Sequence, residues 1–254
     1  MTDNPVTLDP VQVGERPLSA RGDFRSHLRL WPVAAVTLAI DLWTKHWAFT
    51  HLDPNPPPTG WVIIPHVMTF RRSLNTGALF GLGKGLTPLF IAASFVALAF
   101  VVFLFIHSTR DRRSLHVALG LVLAGALGNL YDRAFMIADV VRYTADGRRH
   151  VEACKVLEQD DRGVVIGVWP EGAYPHLIPG RYEPRVHQQG VVRDFIKMAP
   201  RFNVRGYEIE VWPWVFNVAD ALLVFGVGLL LLNFWWDRQS EKAARRSETK
   251  PAAG

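Results

Sequence analysis

The chain has 254 residues, is 49% hydrophobic, contains nine Trp residues and carries a formal net charge of +5. This apolar content favours an integral membrane protein with a polar portion over a soluble domain. The basic residues are spread over tails and loops without forming a stripe, which disfavours nucleic-acid binding. The single cysteine, Cys154, excludes an internal disulfide.

The N-terminal part divides into a polar tail and an apolar run. Residues 1–29 contain several arginines and no apolar core, so we expect a cytosolic tail. Residues 30–49 are too long and too Trp-rich for a cleavable signal peptide and predict an uncleaved first membrane span. Asp41 and Lys45 stand four residues apart within this span, on one helical face. The pair either anchors the helix end or faces a polar, functional interior.

The segment 50–85 predicts an outer loop with short strands at the membrane surface. It opens with a Pro-rich turn and continues with two extended-looking stretches. Asn75 and Gly77 follow in a run of small residues. The next residues, 86–107, are apolar, contain no Asp, Glu, Lys or Arg, and predict a second span.

The third predicted span begins near residue 115 and ends in polar residues. Asn129 lies three and four positions before Asp132 and Arg133, so the three side chains share one region of the helix surface. We expect a buried Asp132–Arg133 ion pair that acts as scaffold. Gly128 allows close packing with a neighbouring helix. The segment 30–138 therefore holds three spans and the outer loop.

Residues 139–189 are polar and turn-rich and predict a small β-rich insertion. Candidate strands lie at 150–156 and 163–168. The insertion contains neither a metal-ligand spacing nor a nucleophile motif. We therefore expect no metal and no other cofactor.

The segment 190–236 carries two further carboxylates beside or inside an apolar run. Asp194 precedes the predicted fourth span, and Asp220 lies in its first turns, three residues after Asn217. An ionisable group inside a membrane helix is a functional candidate, because an unpaired charge is costly there. Residues 237–254 form a basic tail.

The placement of arginines predicts the topology. Basic residues cluster on both tails and on the link 108–114, so four spans would leave both termini in the cytosol and both long loops outside. Asp132 and Asp220 would then lie at one depth in the outer leaflet, where Asp194 can join them. The predicted fold is an α-helical integral membrane protein with four transmembrane helices, a β-rich surface portion and a β-rich insertion.

Two carboxylates at a hydrocarbon–water boundary indicate a specific chemistry. Held close together in a low-dielectric site they share one proton, so one form activates water as a general base while the other donates to a carbonyl. This is the chemistry of aspartic proteases, and it requires no metal and no cofactor.

Five ordered motifs resemble the lipoprotein signal peptidase family, signal peptidase II. They are Asp41-x-x-x-Lys45, Asn75-Thr-Gly-Ala78 with Phe80, Gly125-Ala-x-Gly-Asn129-x-x-Asp132-Arg133, Val192-x-Asp194-Phe195 and Phe216-Asn217-x-Ala-Asp220. The resemblance implies that Asp194 and Asp220 form a catalytic dyad. It further implies a supporting role for a second set of residues: Asp41, Lys45, Asn75, Gly77, Asn129, Asp132, Arg133 and Asn217.

The resemblance also implies a substrate and a location. The expected substrate is the signal peptide of a diacylglyceryl-modified prolipoprotein, cut just before its lipidated Cys. The expected location is the bacterial inner membrane, where a monomer would contact substrate and membrane lipids and no nucleic acid. The chain differs from the family pattern at Leu42, at Arg193 and in the long segment between Arg133 and Gly190.

Two other classes of protein fit the intramembrane carboxylates. A small ion- or proton-coupled transporter would use them as relays, although internal repeats and broken helices typical of transporters are not evident in the sequence. A non-catalytic assembly factor would use the polar groups only to bind helices together.

Overall fold

Four helices and two principal sheets form the described part of the protein. The computed structural model describes residues 19–55, 60–77, 87–198, 200–204, 207–210, 212 and 214–248. Ala78 and Phe80 of the motif that begins at Asn75, and most of the N-terminal tail, lie outside this part. The helices are α1 (Phe24–His51), α2 (Thr87–His107), α3 (Arg113–Phe135) and α4 (Val218–Glu248). Each predicted span is therefore helical, and α4 continues into the predicted tail.

Helix α3 is the central helix of the bundle and packs against the other three. Two of its glycines lie where helices approach most closely. A Cβ at Gly125 would come within 2.6 Å of the Ala219 carbonyl oxygen, and one at Gly128 would come within 2.3 Å of the Asp41 carboxylate. The expectation that Gly128 serves helix packing is thus confirmed, because any larger residue would push α1 or α4 away.

The outer faces of the helices are apolar and exposed. On α2, Phe95 and Phe100 are more than half exposed, and on α4 Phe225 and Leu231 are too. Two helical stretches, Arg113–Phe135 and Val218–Ala243, are long and apolar enough to cross a membrane, and Ile91–His107 is apolar but shorter. Exposed apolar faces of this extent are typical of contact with lipid.

A four-stranded antiparallel sheet lies beside the helix ends. Its strands, in spatial order, are β1 (Trp61–Ile64), β2 (Met68–Asn75), β8 (Val192–Met198) and β11 (Val215–Phe216). In this register Ser73 of β2 lies opposite Asp194 of β8. The short β11 leads directly into α4, so the sheet fixes Asp194 relative to the start of that helix.

The segment between α3 and β8 forms a second, five-stranded antiparallel sheet. Its strands are β3 (Ile137–Ala145), β4 (Arg148–Asp160), β5 (Gly163–Val168), β6 (Ala173–Pro179) and β7 (Arg185–Gly190), in the order β6-β5-β4-β3-β7. The predicted strands at 150–156 and 163–168 are confirmed as parts of β4 and β5. A small core of Val141, Cys154, Val164, Ile166 and Ile178 holds this sheet together. Strands β9 (Arg201–Val204) and β10 (Tyr207–Glu210) form a separate hairpin.

Candidate functional site

The first turn of α4 is built by two residues that bind each other. The Asn217 side-chain oxygen accepts the Asp220 backbone N–H at 3.0 Å, and the Asp220 carboxylate accepts the Asn217 backbone N–H at 3.3 Å. This is the reciprocal arrangement of a capping box, in which each residue satisfies an N–H that the helix leaves unpaired. The Phe-Asn-x-Ala-Asp motif therefore fixes the Asp220 carboxylate at the helix entrance.

Asn217 also reaches the second predicted catalytic carboxylate. Its side-chain Nδ2 donates to Asp194 Oδ1 at 2.6 Å. The other oxygen of Asp194 accepts a hydrogen bond from Asn75 Nδ2 at 3.0 Å, and Asn75 in turn accepts the Gly77 backbone N–H. Asp194 and Asp220 are almost fully buried, and both contact Asn217. Burial and the neighbouring Asp220 charge raise the pKa of Asp194 well above its usual value.

Asn129 of α3 also binds Asp220. Its Nδ2 donates to Asp220 Oδ1 at 2.8 Å, while its Oδ1 accepts Lys45 Nζ at 3.1 Å. Asn217 Nδ2 lies 3.2 Å from the same Asn129 oxygen. Because that oxygen faces two donors, the amide can present only its NH₂ group to Asp220.

Asp41 and Lys45 face the polar interior rather than the surface. Lys45 Nζ lies 2.8 Å from Asp41 Oδ2, and neither side chain is exposed. The other oxygen of Asp41 accepts the Ala219 backbone N–H of α4 at 2.7 Å. Of the two interpretations of this pair, the structure favours the interior one, since the pair connects α1 to the carboxylate-bearing turn of α4.

The expectation that Asp132 pairs with Arg133 is wrong. Asp132 instead binds Arg193 of β8, whose Nη2 lies 2.7 Å from Asp132 Oδ1 and whose backbone N–H donates to Oδ2 at 2.9 Å. Arg133 points elsewhere and donates to the carbonyl oxygens of Gly77, at 2.9 Å, and Asn129, at 3.3 Å. Adjacent residues on a helix project in different directions, so Asp132 and Arg133 face different partners.

All ten predicted site residues thus meet in one region. The buried members are Asp41, Lys45, Gly77, Asn129, Asp132, Asp194, Asn217 and Asp220, and the half-buried members are Asn75 and Arg133. Arg193 was noted in the sequence only as a difference from the family pattern, and its place in the site was missed. The available signal was a cation within the largely apolar run 191–196, because such a charge requires a buried partner.

Comparison with known proteins places the chain in a family. Residues 33–236 match the family described as Signal peptidase (SPase) II. The chain belongs to the signal peptidase II family. A lipoprotein signal peptidase of Rhodococcus jostii is 32% identical over 66% of this chain and 88% of its own length. One from Desulfitobacterium hafniense is 26% identical over 71% of this chain and 77% of its own length.

A solved structure agrees with this assignment at the level of the fold. It is a bacterial membrane enzyme that is 22% identical, with a TM-score of 0.52, and the match covers 91% of this chain and 94% of that chain. Membership of the signal peptidase II family makes this chain a membrane-bound peptidase, and the similarities give no support to the transporter interpretation.

Proposed function

We propose that the protein is an aspartic endopeptidase of the membrane that removes signal peptides from diacylglyceryl-modified prolipoproteins, cutting before the lipidated Cys. The observation that carries this proposal is the convergence of two buried carboxylates on Asn217, whose side chain donates to Asp194 and whose backbone N–H donates to Asp220. The relatives named lipoprotein signal peptidase support the substrate class.

In the proposed mechanism the dyad holds one proton. The ionised carboxylate removes a proton from water as the water oxygen attacks the scissile carbonyl carbon, and the protonated carboxyl donates to the carbonyl oxygen. Collapse of the tetrahedral intermediate breaks the C–N bond, and the amine of the lipidated Cys leaves with a proton returned by the dyad. The two carboxyls titrate as a unit, so neither is assigned separately as acid or base.

The surrounding amides keep the dyad in place. The Asn217 side chain and the Asn75 side chain donate to Asp194, and the Asn129 side chain and the Asn217 backbone N–H donate to Asp220. These groups are already oriented before substrate binds, which reduces the reorganisation needed at the transition state.

The membrane arrangement is part of the same proposal. Four transmembrane helices would place both termini in the cytosol and the dyad near the outer leaflet of the bacterial inner membrane. The apolar, exposed faces of α2 and α4 support lipid contact. The signal peptide would then enter sideways from the bilayer, and a monomer contains both carboxylates.

The test is processing of a lipidated prolipoprotein by purified protein in detergent, with cleavage followed by the mass of the product. We expect Asp194→Asn and Asp220→Asn each to abolish cleavage while remaining folded, and Asp161→Asn, an exposed carboxylate of the insertion, to cleave normally. Full processing by either dyad variant would refute the mechanism. Chelators and reagents directed at serine or cysteine should leave the wild-type rate unchanged.

A further inference from the structure

Arg193 is a buried cation beside the proposed dyad. The residue is 7% exposed, and its guanidinium binds Asp132 through Nη2 at 2.7 Å and through Nε at 3.3 Å. It precedes Asp194 on β8, but neighbouring residues of a strand point to opposite faces. Arg193 therefore acts on the dyad by charge and through intermediates, without direct contact.

The charges in the described part of the site nearly balance. The carboxylates are Asp41, Asp132, Asp194 and Asp220, and the cations are Lys45, Arg133 and Arg193. Four negative and three positive charges leave one excess negative charge, which a single proton on the dyad neutralises. A buried cluster is most stable when its charges cancel, so the cation count favours one shared proton.

Other charged residues nearby are occupied elsewhere. Lys197, also on β8, donates to the Trp212 carbonyl oxygen at 2.7 Å. Arg72 on β2 pairs with Glu171 of the insertion at 2.8 Å. Among the described residues, the carboxylate that Arg193 contacts is Asp132.

Arg193 also directs Lys45. With Arg193 on Asp132, Lys45 Nζ lies 3.7 Å from Asp132 but 2.8 Å from Asp41 and 3.1 Å from Asn129 Oδ1. Lys45 thereby fixes the Asn129 amide with its NH₂ group toward Asp220. Loss of the Arg193 guanidinium would leave Asp132 with the residue 193 backbone N–H and draw Lys45 toward it, so that Asn217 Nδ2 would remain as the donor that orients the Asn129 oxygen.

We propose that Arg193 is a positioning residue that sets the proton count of the Asp194–Asp220 dyad at one, by balancing Asp132 and leaving Lys45 to orient Asn129. The inference rests on the proposed function, because it assigns the dyad its catalytic role.

The experiment is the pH profile of kcat/KM for a lipidated prolipoprotein in detergent, which reports ionisations of the free enzyme. Removing a positive charge makes a second proton easier to bind to the dyad. In Arg193→Met the fall of kcat/KM on the acidic side of the profile, the acid limb, should therefore move to higher pH. The expected shift is about one unit for an effective dielectric constant near 20. Asp132→Asn removes a negative charge and should move the alkaline limb to lower pH by about as much.

Two further variants separate charge from structure. The double variant Asp132→Asn/Arg193→Met restores the charge balance and should return both limbs to within about 0.3 unit of wild type, far less than the single-variant shift. Arg193→Lys keeps the charge and should hold the acid limb at its wild-type position even if its stability falls. A purely structural role would lower activity without moving either limb.

The outcomes distinguish this inference from the proposed function. An Arg193→Met profile with wild-type limbs, or a double variant that keeps a shifted acid limb, would overturn the role of Arg193 while leaving the dyad intact. If Arg193→Met does not fold, the shift of the alkaline limb in Asp132→Asn and its reversal in the double variant decide the question, and an unshifted Asp132→Asn profile would overturn the inference. Cleavage by Asp194→Asn or Asp220→Asn would instead overturn the dyad itself.

Discussion

The carboxylate of Asp41, on the first helix, accepts the backbone N–H of Ala219 in the first turn of the fourth helix at 2.7 Å. Residues 178 positions apart in sequence thus share a helix cap. The same carboxylate pairs with Lys45 at 2.8 Å. Asp41 therefore links the position of α4, and with it Asp220, to a buried cation of α1.

This link predicts that Asp41→Ala lowers the free energy of unfolding substantially. The change leaves Lys45 buried beside fewer partners and the Ala219 N–H without its acceptor, so we expect roughly 3 kcal/mol of destabilisation. Asp41→Asn keeps an acceptor for the Ala219 N–H and should lose less stability than Asp41→Ala. Thermal unfolding in detergent measures both, and equal stability of Asp41→Ala and wild type would contradict the cap.

Gly128→Ala tests the closeness of α1 and α3. A Cβ at this position would lie 2.3 Å from Asp41 Oδ2 and 3.3 Å from the Ala219 Cβ. We expect a loss of about 1–3 kcal/mol from overpacking and a lower cleavage rate, because Asp41 must shift. Gly228→Ala is the matched control, since a Cβ there has nothing within 4 Å and alanine favours a helix. Similar losses in both variants would show that the close approach at Gly128 is unimportant.

The side of the membrane that the insertion occupies is testable by thiol labelling. Cys154 is 3% exposed, and burial together with the Asp139 charge raises the pKa of its thiol to about 12, so the native protein should not react at neutral pH. Asp161 lies in an exposed turn between β4 and β5. A membrane-impermeant maleimide should label Asp161→Cys in intact cells. Labelling only after the membrane is opened would place the insertion in the cytosol and reject the topology.

The five-stranded insertion can be shortened at a point that the register defines. Arg142 of β3 lies directly opposite Arg185 of β7, so a two-residue Asn-Gly turn replacing 143–184 closes an existing pair of strands. This variant keeps Gln189, whose side chain donates to the Thr76 carbonyl oxygen at 3.1 Å next to Gly77. We expect it to cleave a generic lipoprotein precursor at a rate near wild type and to differ, at most, in its choice among substrates.

A deletion of all of 139–189 provides the contrast for that prediction. It removes the Gln189 contact and should reduce activity more than the shorter deletion does. Loss of cleavage in a correctly inserted 143–184 replacement would show that the distal strands build the active site. The insertion would then be part of the catalytic unit rather than an accessory.

The helices and the candidate carboxylates could be predicted from sequence because the relevant physics is local. An apolar run of about 20 residues is long enough to cross a bilayer, and an ionisable residue within such a run is conspicuous because of its cost. The Asn217–Asp220 capping box is also local, since its two members lie within one helical turn. The strands β4 and β5 of the insertion could be predicted for the same reason, from short extended patterns bounded by turns.

Partner choice, in contrast, was decided by tertiary structure. Sequence proximity suggested Arg133 as the partner of Asp132, but consecutive residues of a helix point in different directions. The buried Asp132 carboxylate instead binds Arg193, which lies on a strand 61 positions away in sequence. The cap that Asp41 provides for Ala219 is equally invisible in sequence, because it depends on how closely α1, α3 and α4 pack around Gly128. The sequence by itself determined which ionisable groups the apolar helices carry, since the cost of such a group depends on the surrounding apolar residues. The tertiary structure alone decided which charge neutralises which, because that depends on the distances between elements that are remote in the chain.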